Sequence, residues 1–166
     1  MNNLKVGKHS FHFRCPPVIG AWASVAGKKE ALGPLGTTFD LTCEDSYFGQ
    51  RSWEQAERKM QQLALQTLAR KATIKQSDFD LVFSGDLLNQ CIGSSFPLRN
   101  TDIAHIGLYG ACSTMAESLM AASMAVGGGF VDNAVAMTSS HFASSERQYR
   151  FPLDYGGQRT PTAQWT

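Results

Sequence analysis

Apolar side chains recur at steps of three and four from Trp53 through Ala56, Met60, Leu63, Ala64, Thr67 and Leu68, a period that predicts an amphipathic helix. The same pattern sets Glu54, Glu57, Arg58 and Gln61 on the wet side, and Ser52 with Gln55 three residues on predicts a capping box at the start. Downstream the period changes. Asp80-Leu-Val-Phe-Ser-Gly85, Ile106 to Tyr109 and Asn133-Ala-Val-Ala-Met-Thr138 are short apolar runs of strand length. Between the last two, the stretch from Ser113 to Val126 is dominated by Ala, Ser, Met and Leu, with Glu117 as its one charge. It predicts a helix with so little polar face that it is expected to lie buried between layers of sheet. Gly127-Gly-Gly129 offers the left-handed backbone that ends such a helix. Strand, helix, strand, helix, strand in succession predicts a right-handed α/β unit with a largely parallel sheet.

Upstream of the first helix the pattern is weaker. Lys5-Val, Ser10-Phe-His-Phe13 and Pro17-Val-Ile-Gly20 are consistent with a short strand or hairpin, which Pro16-Pro17 confines to a sheet edge. Residues 24–52, rich in Gly, Pro, Thr and Asp, predict an excursion of loop and turns, of a length that usually serves function or an oligomer contact.

Composition narrows the classes. With 166 residues and 43% hydrophobic content the chain can build one sizeable core. A formal net charge of +1 gives no electrostatic case for nucleic acid or an anionic membrane as the main partner. Cysteines 15, 43, 91 and 112 have no Cys-x-x-Cys spacing and no nearby His pair, which argues against a structural zinc site. There is no apolar leader at the start and no run of transmembrane length, so the cysteines read as reduced thiols in a cytosol-like compartment, with membrane association only through a protein partner.

The candidate chemistry gathers where predicted strands end. His105-Ile-Gly-Leu-Tyr-Gly-Ala-Cys-Ser-Thr114 runs from a strand through a tight turn to a helix start, with Cys112 at the opening. Backbone N–H groups there lack internal partners and carry partial positive charge, which favours a thiolate or a bound carboxylate. Cys112 therefore reads as a nucleophile, as a docking point for an acid, or as an inert cysteine packed at a strand–helix junction. Asp86, Asn89 and Gln90 follow another strand; Asp86 would repel an anionic ligand and is better suited to bonding the backbone of its own turn. His141 and the hydroxyls of Ser139 and Ser140 follow the third strand, and the plainer reading of this lone histidine is one bonded to backbone. Beyond them Arg147, Arg150 and Arg159 share an aromatic-rich stretch with Tyr149, Phe151 and Tyr155. These arginines read equally as carboxylate forks or as partners of Glu146 and Asp154.

Particular strings carry a family resemblance: Gly33-Pro-Leu-Gly36, Trp53-Glu-x-Ala-Glu-Arg-Lys59, Gly85-Asp-Leu-Leu-Asn-Gln90, Gly110-Ala-Cys-Ser-Thr114, Thr138-Ser-Ser-His141, Glu146-Arg-Gln148 and Tyr155-Gly-Gly-Gln158. Together they resemble the stage V sporulation protein AD family, thiolase-like proteins of spore-forming Firmicutes. The resemblance implies a thiolase-like α/β fold, of which residues 1–166 would be the N-terminal half: a layered, largely parallel sheet with a buried central helix, its second half absent from this chain. It implies binding of dipicolinic acid (pyridine-2,6-dicarboxylate) or its calcium chelate for uptake into the developing spore. It also implies a place among other channel proteins on the core-facing side of the inner spore membrane, peripheral to it.

Cys112 and Ser113 would form the pocket floor, with Ser140, His141 and Arg147 at its side, and no metal or cofactor is implied. Catalysis is not expected, because the His or Asn partners of a thiolase nucleophile come from the second half. Acyl transfer through Cys112 and a purely structural interaction module remain the alternatives. Without its second half the chain is expected to bind dipicolinate weakly or not at all, and its exposed apolar surface should favour self-association.

Overall fold

The computed structural model describes residues 5–149, with side chains through Ser145. Three parallel strands, β5 (Leu81–Gly85), β6 (Ala104–Leu108) and β7 (Ala134–Thr138), form the principal sheet in the order β6-β5-β7. Val82 pairs with His105 and Val135, and Ser84 with Gly107 and Met137. Since side chains alternate across a strand, these residues share one face, and Phe83, Ile106 and Ala136 share the other.

The first face is covered by helix α2 (Trp53–Ala72), with Leu65 and Ala69 meeting Val82, Val135 and Met137 in a core closed by Phe79, Leu98 and Ile103. Ser52 caps α2 by accepting the Gln55 N–H at 3.3 Å, while the Gln55 side chain reaches back to the Arg51 amide, one residue before the cap. Two residues assigned by period to the wet side of α2 are instead buried: Glu57 is 0% and Gln61 1% exposed. Polar partners on the neighbouring segments compensate for the water they give up.

Helix α4 (Thr114–Gly127) packs on the second face, where a side chain at Gly85 would collide with Thr114 and the Leu108 carbonyl. Its contact stripe is Thr114, Ser118 and Ala122, small residues at four-residue steps that permit close approach. The expectation of a helix buried on all sides is corrected. Among the described residues sheet covers one side only, and Met115, Leu119, Met120 and Met124 are 41–53% exposed. The helix ends in a Schellman motif: Gly129, at φ +73°, donates to Val126 O, and Phe130 to Ala125 O.

The expected loop at 24–52 contains regular structure. Strands β3 (Val25–Gly27) and β4 (Leu41–Cys43) pair in parallel, crossing over through the short helix α1 (Lys28–Ala31). Asp40 fastens this unit by accepting the Ser24 amide at 2.9 Å and Lys71 Nζ at 2.7 Å, and Lys71 also lies over the Trp22 ring. At the start, β1 (Lys5–Val6) and β2 (Ser10–Phe11) form the expected hairpin. The remaining helices are α3 (Ile92–Ser95), between β5 and β6, and α5 (Phe142–Tyr149), after β7.

The core predicts its own energetics. Leu65→Ala should cost about 2–5 kcal/mol in urea unfolding, whereas Gln66→Ala on the exposed side of the same turn should stay within about 0.5 kcal/mol.

Candidate functional site

All three strands of the parallel sheet deliver their carboxyl ends to one edge, the usual place for ligand-facing groups in such sheets. Backbone strain concentrates in the segments that leave this edge. Gln90 and Cys91 after β5 and Ala111 after β6 all have left-handed φ, at 59°, 52° and 49°. A non-glycine residue pays conformational energy there and persists only where its surroundings over-determine it.

At the end of β5, Asp86 is 1% exposed and fully engaged by its own turn. It accepts the Leu88 amide at 2.8 Å, the Ser94 amide at 2.7 Å, and the Ser94 hydroxyl in a short hydrogen bond. This is the backbone-bonding role expected of it, and Asn89 and Gln90 beside it are exposed. Cys91 donates to the Leu108 carbonyl at 3.3 Å; burial and then the Asp86 charge push its thiol pKa up, against the Ser94 hydrogen bond. His105 Nε2 bonds the buried Ser84 hydroxyl at 2.8 Å, and burial holds its imidazole pKa below the ordinary value, against the Asp86 charge.

After β6, residues Ala111–Ser113 form a single 3-10 turn, so Cys112 precedes α4 by one residue more than the sequence implied. Cys112 is exposed, not packed as an inert thiol. Ser113 turns both its amide (3.0 Å) and its hydroxyl (2.7 Å) onto the Gly110 carbonyl. Of the two amides expected to meet a ligand, that of Cys112 is therefore the one standing before the turn's first hydrogen bond. Gly110 leaves no room for a side chain beside Ser113 and Glu117, and Glu117 Oε2 is buried there without a hydrogen-bond partner among the described residues.

After β7 lies a buried polar network that periodicity did not reveal. Glu57 accepts the Ser139 hydroxyl at 2.8 Å and the Ser144 hydroxyl at 2.7 Å. Gln61 Nε2 donates to Ser139 Oγ at 2.8 Å and to the Gly85 carbonyl at 3.2 Å. Burial raises the Glu57 carboxyl pKa above its ordinary 4.5; hydrogen bonds from Ser144 and Ser139 oppose the rise, the Asp86 charge adds to it, and a backbone bond from His141 opposes it. The one clue in the sequence is that Glu57 and Gln61 stand at four-residue steps from the buried Leu65 and Ala69.

His141 is 3% exposed and donates from Nε2 to the Ser46 carbonyl at 2.6 Å, the backbone-bonded state weighed for it. Ser140 is exposed, and with His141 it lines a cavity of about 790 Å³ whose walls include Phe48, Met60 and Ser145. Cys112 and Ser113 do not line it. They leave the sheet from β6 and Ser140 and His141 from β7, roughly 10 Å apart across β5 at strand spacing. Arg147 lies on α5, with its side chain not among those described, and Arg150, Phe151, Tyr155 and Arg159 lie outside the described residues. Among the described residues no group of three or more His, Cys, Asp or Glu could hold a metal, and no helix is long and apolar enough to cross a membrane.

These features define an α/β protein with its strained, polar turns gathered at the carboxyl edge of a parallel sheet. The family model of stage V sporulation protein AD matches residues 7–166. The chain is also 41% identical over 157 residues to stage V sporulation protein AD of Bacillus subtilis (strain 168), a match covering 95% of this chain and 46% of that protein. The chain belongs to the stage V sporulation protein AD family, a sporulation family, and spans about half the length of this curated relative.

Glu57 makes stability depend on pH. The unfolded chain releases this proton near 4.5, before the folded protein does. Wild-type stability should therefore fall relative to Glu57→Gln as pH rises from that value through the raised folded pKa, and then level off. Urea-unfolding curves for the two proteins that run parallel across this window would contradict the assignment.

Proposed function

We propose that this chain contributes the carboxyl-edge half of a receptor for dipicolinate, acting in uptake of this planar diacid into the developing spore. The observation that carries the reading is the left-handed Ala111 set directly before the exposed Cys112 at the exit of β6. Strain kept at a strand–turn–helix junction of a parallel sheet fits a built ligand turn better than a packing accident. The Cys112 amide offers one carboxylate an uncompensated donor, strengthened by the helix that follows. Ser140 and Arg147, which follow β7 in the chain, are the polar candidates from that side, while His141, tied to Ser46, acts by holding its segment in place.

The proposed setting is a thiolase-like fold in which a second half, beyond the length of this chain, completes the pocket. Association with other channel proteins at the inner spore membrane, and self-association through exposed apolar surface, belong to the same proposal. A receptor role is favoured over acyl transfer because the histidines near this edge are already engaged, His105 with Ser84 and His141 with Ser46. A base for the Cys112 thiol would have to come from elsewhere.

Titration with dipicolinate, followed by amide NMR shifts, tests the reading even at weak affinity. Saturable shifts at residues 111–114 are expected in the millimolar range, weaker with pyridine-2-carboxylate and lost in Cys112→Trp. The absence of any saturable shift at tens of millimolar dipicolinate would overturn it.

A further inference from the structure

The 790 Å³ cavity lies on the β7 side of the edge, away from the Cys112 turn, between the β3–α1 unit, α2 and the start of α5. Its size falls within the range of small-molecule pockets. Val25, Phe39, Phe48, Met60, Leu87 and Phe142 give it apolar walls. The charges at its rim come in equal numbers of each sign, Lys28 and Lys29 against Glu30 and Glu44, and Lys28 pairs with Glu44 at 3.4 Å. Inside, Ser145 is 8% exposed, and its hydroxyl is buried with no hydrogen-bond partner among the described residues. A buried hydroxyl left unpaired is costly, and in a cavity wall it is a donor waiting for an acceptor.

We propose that this cavity is a second binding site, distinct from the diacid turn, which takes a neutral apolar molecule of chain or ring form carrying one hydrogen-bond acceptor for Ser145. The balanced rim gives no gain to an anion, whose charge would have to be desolvated against apolar walls. The site lies apart from the diacid turn, since neither Cys112 nor Ser113 contributes to it, and the two readings meet only at Ser140 and His141, which line the cavity.

The pair 1-decanol and decanoate tests the assignment, by calorimetry and amide NMR on the full chain. Decanol should bind saturably, shifting amides of 25–30 and 140–145, with decanoate at least tenfold weaker. Gly27→Leu places a side chain into the cavity at a position with ordinary extended backbone and only Glu30 Oε2 nearby, at 3.6 Å. It should weaken decanol at least tenfold with an unchanged melting temperature. Ser145→Ala should weaken it about threefold to tenfold, the worth of one hydrogen bond, and covers the case in which Gly27→Leu does not fold. Met120→Glu, on the exposed face of α4, should have no effect. Absence of decanol binding, equal or tighter decanoate binding, binding indifferent to both cavity variants, or loss on Met120→Glu would each overturn the proposal.

Discussion

The hydrogen bonds that Glu57 accepts and Gln61 donates at the ends of two strands are the constraint on which the functional edge depends. Gln61 holds the Gly85 carbonyl at the end of β5, and both residues hold Ser139 just past β7. Glu57 also takes the Ser144 hydroxyl, so helix α2, on one face of the sheet, fixes the course of the chain from β7 into α5. A carboxyl group buried this deeply is costly unless its oxygens are satisfied, and here both are, by hydroxyl groups. The network has a further element of tension, because Gln61 Oε1 is itself buried without a partner among the described residues. The arrangement trades some stability for a defined geometry at the edge where the strained turns lie.

The three principal strands and α2 were legible because their apolar runs and helical period match the sheet and the face they pack against. Predicted strand 133–138 became Ala134–Thr138, and predicted helix Trp53 to Leu68 extends to Ala72. Less was legible where tertiary partners override period. Glu57 and Gln61 look solvated in any window that sees α2 alone, since the serines that receive them stand some eighty residues away for Glu57 and Ser139. The β3–β4 pair was hidden for a related reason: three-residue strands in a Gly- and Pro-rich stretch carry no usable alternation.

Among the candidate site residues, chemistry proved more legible than grouping. Asp86 and His141 have the backbone partners that their types and positions suggested. Sequence order along three strand ends does not say which ends are neighbours, and the order β6-β5-β7 separates Cys112 from His141 by the intervening strand. The left-handed φ of Ala111, Gln90 and Cys91 was invisible for a different reason, since alanine, glutamine and cysteine carry no turn signal of the kind glycine or asparagine gives.

The bare face of α4 has a chemical consequence of its own. Met115, Met120 and Met124 are each about half exposed, Met120 and Met124 one turn apart on the side away from the sheet and Met115 at the start of the helix. Peroxide would convert them to sulfoxides, exchanging soft apolar groups for polar, chiral ones. The surface character of this helix is therefore set partly by the oxidative history of the molecule, and an aged preparation would present a different α4 from a fresh one.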